Sequence, residues 1–514
     1  MKIMLCKFTK TSEVEFSVGL SYVSVQGALR NIGEEEYNIA REKSHKSWIR
    51  ILERFTGRSR TIMTALYHTL LGPTLISDVD GKSLDPDGIV RERKHNTYSS
   101  FSLWDTYRSE MSLLQLLLPK YQTYEMIESL KSFAKTNPPT YTLPLFDLYR
   151  EDTQTMIGYP AVSVLASYVL LGNITNIYAK NILTLLKRTA TSRHSLETQF
   201  ISKLTYIPSD VVEESVSKAL EMASSDDCIS RLARFVSHDQ NLDDELRDAA
   251  HEIESHFQKR SRLYELYFHD GYFQPRLSNG SFRDDFDFLD ASAKNGFTEA
   301  NAFQYLFSVV HDVPGLSRLL GGKDMLSKRL DEFFSLNSRP HTHDRELPKD
   351  VSASMLGGAT IGNEPSLHIP LLYNYVGEPW KAQSLMHRIL TTMFSDNPDG
   401  LPGNDDFGAM SSFYFFNAAL GIYPVHPCSG EYQISRPLVH DVTLHLGDSS
   451  SNNTFRVQVL NQSLTDNMYV QDVWLNDQRL NRTFILHKEI VGCCEKTTVL
   501  KFLMGPTPNY DALR

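Results

Sequence analysis
The chain has 514 residues, 41% of them hydrophobic and 11% aromatic, with 62 Asp and Glu against 52 Lys and Arg for a net charge of −10. That length suggests about three domains, the composition excludes a disordered chain, and the acidic balance excludes the basic footprint of a nucleic-acid binder while suiting neutral or cationic ligands, metal ions in particular. No apolar run reaches the roughly 18 residues of a membrane span, and the opening MKIMLCKFTKTSEVEF lacks the sustained apolar stretch of a signal peptide.

In chain order, residues 1–25 alternate weakly and predict one or two strands. Val14, Phe16, Val18, Leu20 and Tyr22 keep one phase, which slips at Val23 and Val25. From Gly27 to about Phe416 the apolar spacing becomes three and four, as in 103–118, 212–222, 242–267, 298–310 and 323–334, with Gly, Pro and Asn turns between. This predicts a large all-α region. From about Val425 the period drops to two in QISRPLV, VTLHL, FRVQVLN, YVQDVWL, RTFILHK and TVLKFLM, which predicts an antiparallel β-sandwich of short strands. The expected division is therefore 1–25, 26–424 and 425–514. A lone strand pair does not stand as a domain, so residues 1–25 either join the C-terminal sheets or remain from an N-terminal domain.

Cys6, Cys228, Cys428, Cys493 and Cys494 are too scattered to predict a zinc motif or a disulfide framework, and the adjacent Cys493 and Cys494 read as buried or edge thiols. Sequons begin at Asn173, Asn279, Asn452, Asn461 and Asn481, a hint of secretion that chance also supplies.

Four segments could carry chemistry. In FSLWDTYRSEMSLLQLLLP, residues 101–119, Ser102 is the expected N-cap, and Trp104, Tyr107, Met111, Leu114 and Leu118 form one helical stripe. Asp105 and Arg108 emerge beside Trp104, a ring with a carboxylate and a guanidinium that suits a sugar. A core Trp with an intrahelical ion pair is the commoner reading of such a stripe. In NGFTEANAFQYLFSVVHDVPGL, residues 295–316, Thr298 is the expected cap and Glu299 falls in the first turn beside Phe297, Phe303 and Tyr305. Aromatic surroundings raise a carboxyl toward general-acid duty, although a first-turn Glu also simply favours the helix dipole. In GNEPSLHIP, residues 362–370, Pro365 is expected to hold Glu364 extended. Asn363 and Glu364 then offer hard oxygen ligands of the kind calcium takes, or form an ordinary turn. In DGLPGNDDFGAMSSFYFF, residues 399–416, two turns present Asn404, Asp405 and Asp406 at the entrance of an aromatic helix. Capping accounts for one acid and not for the pair. DGKS at 80–83 lacks the upstream Gly of a P-loop, DDFDFLD at 284–290 lacks EF-hand spacing, and HTHD at 341–344 reads as a polar loop.

In this order the strings LSYVSVQGALRNI, TALYHTLLGPTLISDVDG, YSSFSLWDTYR, GFTEANAFQY with VVHDVPGLSRLLGG, GNEPSLHIPLLYNYVGEPWK and DGLPGNDDFGAMSSFYFFNAALGIYPVHPCSGEY resemble glycoside hydrolase family 92 from about Val18 onward. The resemblance implies a mainly α chain, an (α/α)6 toroid packed against β-sandwich elements, with most of the family's N-terminal domain missing. It implies exo-acting removal of terminal α-linked mannose from glycans or glycoproteins with inversion, assisted by one calcium ion, in a secreted or extracytoplasmic setting. Carried over by position, Glu299 matches the general acid and Asp406 the general base, with Asp405 beside it. Asn363 and Glu364 match the calcium motif, and Trp104, Asp105, Arg108, His368 and Asn404 match positions that line the sugar pocket. An inverting pair stands about 6.5–9.5 Å apart. The sequence departs from the family's usual residues at Ala300, Phe303, Leu367, Ala409 and Ser167, positions that support such a site. A catalytically inactive mannose-binding or scaffold protein is the alternative expectation, and a lyase or α-glucosidase on the same toroid fits the motifs least.

Overall fold
The computed structural model describes residues 17–172, 174–338, 340–342, 352–447, 453–492 and 497–513. Cys6, Cys493, Cys494, Asn173, Asn452 and most of the 1–25 segment lie outside them. The described remainder of that segment forms no strand. Val18 and Leu20 are exposed, so the alternation there buries no sheet face, and Ser24 caps a helix over Val25–Ile32 through the Gly27 N–H.

Helices dominate up to residue 420. The longest, Ser215–Ser237, is buried along most of its length. Its small residues Ser217, Ala219, Ala223, Ser224, Ser225, Ser230 and Ala233 let neighbours close in, and helices Pro160–Leu171, Asn176–Ala190 and Asp244–Arg260 pack around it. Helix Ala409–Phe415 packs on Arg60–Thr69, and Pro379–Thr392 on the 3-10 segment Ile369–Val376. One hydrophobic cluster runs from Phe55 in the helical part to Phe502 and Leu513 in the sheet region, so the two parts share a core.

Two predicted helices differ from expectation. The 103–118 stripe breaks into Leu103–Thr106 and Glu110–Leu117. Arg108 Nε donates to the Trp104 carbonyl at 3.2 Å, the acceptor its own N–H would use in an unbroken helix. The 298–310 segment keeps only Ala302–Tyr305. Its cap is Asn301 rather than Thr298, in a reciprocal capping box with Gln304. The apolar run continues because this segment is buried from all sides, which hides its period.

The C-terminal sheets also depart from a purely antiparallel arrangement. A five-stranded sheet runs in the order Asp441–His445, Thr454–Leu460, Thr497–Gly505, Tyr469–Leu475, Gln478–Arg479, and its second and third members pair in parallel from Thr454 against Thr497 to Leu460 against Leu503. The connection between them contains a hairpin, a strand and a helix, long enough for the crossover that parallel pairing requires. A three-stranded sheet of Ile422–Tyr423, Glu431–Ile434 and Phe484–Leu486 is antiparallel. Cys228 and Cys428, which no spacing in the sequence links, form a disulfide between the long helix and the turn Pro427–Ser429.

Candidate active site
Two glycines set the site's geometry. A Cβ on Gly403 would collide with the Gly362 carbonyl, and one on Gly362 would lie 2.5 Å from the Pro402 carbonyl. Only bare backbones let the 362–366 and 402–406 loops lie this close. Asn363 is extended, and Glu364 opens a 3-10 turn, Glu364–Ser366, rather than staying extended before Pro365. Asn363 Nδ2 donates to the Glu299 carbonyl at 3.0 Å, which ties in a third loop. Gln304 Nε2 reinforces this tie by donating to Thr360 Oγ1 at 3.0 Å.

Glu299 precedes the helix of its segment and has φ +50. Its carboxylate is exposed, whereas Phe297, Phe303 and Tyr305 are buried. Exposed, it is not enclosed by aromatics as expected, although its charge reaches Tyr305, and a place outside the helix removes the dipole explanation. Asp406, Phe407 and Gly408 have φ +40, +60 and +93, a left-handed run that ends in the αL N-cap Gly408. Asp405 is not the N-cap residue, yet its side chain satisfies a first-turn amide of helix Ala409–Phe415. Its Oδ1 accepts from the Ser411 N–H at 2.8 Å, its Oδ2 from Ser411 Oγ at 2.7 Å, and His68 Nδ1 lies 3.3 Å away. Asp405 is thus a brace for the loop that carries Asp406. Asn404 sits exposed beside it.

Trp104 and Asp105 are buried, and Ser102 Oγ donates to the Asp105 carboxylate instead of capping the helix. Arg108 stacks over Trp104, its Cζ 4.8 Å from the ring centroid. Burial pushes Asp105 up to about 8, against its bond from Ser102, and the carboxylates of Asp406 and Glu299 push the same way. Burial likewise holds Glu364 well above its ordinary range, with Asp105 and Asp406 adding to it. Four acids from four loops therefore share one electrostatic neighbourhood. Three buried polar atoms close by have no protein partner: Trp104 Nε1, Tyr305 Oη and Glu364 Oε1. A buried donor without a partner is costly, so this wall is built to meet polar groups of something else. His368 is buried, and the Arg108 charge acts on it. Its Nε2 is committed to the Phe307 carbonyl at 2.8 Å, and burial pushes it down to about 4.

Residues 27–506 match the Glycosyl hydrolase family 92 catalytic domain. The chain belongs to glycosyl hydrolase family 92. A family GH92 α-mannosidase from Bacteroides thetaiotaomicron superposes with a TM-score of 0.83 at 29% identity, covering 95% of this chain and 62% of that one. A structure described as that enzyme in complex with mannoimidazole gives 0.85 at 28% identity, covering 95% and 63%. An inverting GH92 mannosidase of the same organism gives 0.81 at 26%, covering 95% and 66%. A protein of Arthroderma benhamiae described as an uncharacterized secreted glycosidase is 28% identical over 306 residues, 55% of this chain and 35% of its own length. The chain thus spans less than two thirds of each of these relatives.

Several departures of this family 92 chain lie in its packing. Ala300, Phe303, Leu367 and Ala409 are all buried, and Phe303 lies among Tyr272, Phe288, Phe307 and Phe333. Ser167 bonds the Val164 carbonyl within its own helix. One residue escaped the sequence reading. Glu221 of the long helix accepts from Arg108 Nη2 at 2.8 Å and from Tyr107 OH at 2.9 Å, and so fixes the guanidinium over Trp104. A single Glu at a position flanked by small and apolar residues in SVSKALEMASS was the available signal.

Proposed function
We propose that this chain hydrolyses terminal α-linked mannose from glycans or glycoproteins with inversion, with Glu299 as general acid and Asp406 as general base. The observation that carries the reading is that the charges of Asp105, Glu299, Glu364 and Asp406 act on one another beside Trp104, Arg108 and Tyr305. The family's solved α-mannosidases support the substrate class, and their similarity supports reading the helices as an (α/α)6 toroid beside a two-sheet sandwich. The fungal relative's description supports a secreted setting, and no helix among the described residues is long and apolar enough to cross a membrane.

The donor set fits calcium: Glu364 has a buried, unpartnered oxygen, and Asn363 spends its NH2 on Glu299, which leaves its carbonyl oxygen for a cation. When bound, the ion supplies charge neutralisation and orientation for sugar hydroxyls. In this mechanism Glu299 protonates the departing glycosidic oxygen while Asp406 takes a proton from the attacking water on the opposite face of the ring. Trp104, whose ring carries the Arg108 guanidinium, offers its unpartnered Nε1–H to a hydroxyl. Arg108 and Asp105 take neighbouring hydroxyls, and Asp405 keeps the Asp406 loop in place.

Hydrolysis of an aryl α-mannoside and of an α-linked mannobiose tests the assignment. Glu299→Gln slows mannobiose by the 10²–10⁴-fold typical of general catalysis and slows the aryl substrate far less, because a good leaving group needs no proton. Asp406→Asn slows both together. Equal loss on both substrates in Glu299→Gln removes Glu299 as the acid. Activity unchanged by EGTA removes calcium, and calorimetric mannose binding without turnover turns the reading to an inactive binder.

A further inference from the structure
Two turns along the helix that carries Glu221 lies a second constellation that the hydrolase reading does not use. Cys228, Cys428 and His426 are all buried, and their Sγ and imidazole nitrogen atoms lie within 4.8 Å of one another. Asp227 Oδ2 is 2.9 Å from His426 Nε2. The four side chains come from two short segments, Asp227-Cys228 on the helix and His426-Pro427-Cys428 at the turn. We propose that this is a two-state centre: a disulfide when oxidised and, when reduced, a tetrahedral site for a soft divalent cation such as Zn2+, bound by Cys228, Cys428, His426 and Asp227.

The chemistry of the donors favours this. Two thiolates, an imidazole and a carboxylate are a zinc set rather than a calcium set, and the edge of a tetrahedron with Zn–S near 2.3 Å is roughly 3.8 Å, which the two sulfurs and the imidazole nitrogen approach, with Asp227 held next to that nitrogen. Cys228 Sγ is 4.0 Å from the same His426 Nε2 that faces Asp227. Arg231, the other partner of Asp227, is more than a third exposed and can turn to solvent.

A second observation is independent of the sulfurs. The rings of His426 and His311 lie 6.3 Å apart, centroid to centroid, and the Nδ1 atom of each is buried without a partner. His311 Nε2 donates to the Ser261 carbonyl at 2.9 Å, so its Nδ1 is a bare acceptor. In the disulfide form His426 likewise keeps its proton on Nε2 for Asp227 and leaves Nδ1 bare. A cation on Nε2 moves that proton to the buried Nδ1, for which the neighbouring His311 ring can serve as the outer-shell partner that metal-bound histidines have. Opening the bond takes two electrons and two protons, both from a dithiol that closes to its own disulfide, or the electrons from a phosphine and the protons from water, whose oxygen leaves as the phosphine oxide; Zn2+ then displaces the two thiol protons to solvent.

The test is anaerobic titration of the full chain with Co2+, read by its thiolate-to-metal absorption, before and after phosphine reduction and desalting, with Zn2+ as competitor. The reduced chain binds one equivalent that Zn2+ displaces, and the oxidised chain shows no such band. His426→Ala, or His426→Gln if the alanine variant unfolds, loses the band. Cys493→Ser/Cys494→Ser keeps it, and His311→Phe keeps it with affinity lowered about 10–100-fold. No band in the reduced chain, a band that survives both His426 variants, or unfolding on reduction seen by far-UV circular dichroism overturns the proposal and leaves a purely structural disulfide.

Discussion

Removing Glu221 tests whether the wall proposed to face the sugar is held from behind. The Arg108 and Glu221 side chains are each 10% exposed and joined at 2.8 Å, and the second carboxylate oxygen takes the Tyr107 hydroxyl. In Glu221→Ala the guanidinium keeps only the Trp104 carbonyl through Nε, at 3.2 Å, and carries a buried charge with its ion-pair partner gone. Breaking a buried pair from one side costs about 3–5 kcal/mol. Glu221→Gln keeps shape and one acceptor but loses the charge and one of the two bonds, for about 1–2 kcal/mol, since hydrogen bonds to charged groups are the stronger ones. Urea unfolding gives both numbers. Mannoside kinetics separate positioning from bulk stability: both variants raise KM, because Arg108 leaves the Trp104 face, and Arg108→Lys alone raises KM without adding to the effect of Glu221→Ala. Destabilisation of Glu221→Ala by less than about 1 kcal/mol, or additive KM effects, refutes the reasoning.

Glu110 is fully buried with neither carboxylate oxygen partnered, and burial, with Asp405 adding to it, holds its pKa well above the ordinary carboxylate value. A raised folded pKa means that its stabilising proton is fully bound below the unfolded value near 4 and is lost as pH rises through the folded one. Glu110→Gln should therefore match the wild type near pH 4 and exceed it increasingly above, by about 1–3 kcal/mol, in denaturant unfolding from pH 4 to 9. Gly403→Ala should cost about 1–3 kcal/mol, because its Cβ meets a carbonyl rather than a flexible side chain. It should also abolish mannoside hydrolysis while the far-UV spectrum stays native.

What the sequence made legible was local. WDTYR, GNEP and GNDD each place their polar residues within a few positions of a turn signal, so their meeting at one site needed only their loops to converge. Helix 323–334 was found to the residue because one face is solvated and the period shows. Segment 298–310 was misread because it is buried all round, and apolar spacing then carries no phase. The left-handed Glu299 and Asp406 were invisible, since neither is glycine and no residue type marks the conformation. Glu221 with Arg108 and Cys228 with Cys428 were missed because each pair spans more than a hundred residues, and only packing brings them together.

The strain at the two carboxylates explains why the site is braced by backbone contacts. A non-glycine residue in the left-handed region costs on the order of 1–3 kcal/mol and persists only where its surroundings over-determine it. For Glu299 the restraint is the Asn363 amide on its carbonyl, joined to the capping box at Asn301 two residues on. For Asp406 it is the Asp405–Ser411 pair of bonds on one side and the Gly362–Gly403 contact on the other. Each of these restraints acts on main chain or on a neighbour rather than on the carboxylate itself. The same bracing forces Asp105 and Glu364 against them, where like charges cannot all remain ionised without a proton or a cation among them. A pocket of this kind favours a cation at neutral pH. Calcium in the assigned site and a protonated Asp105 are then two answers to one electrostatic demand, and added calcium should release protons from the folded chain at pH 7, measurable as buffer-dependent binding heat.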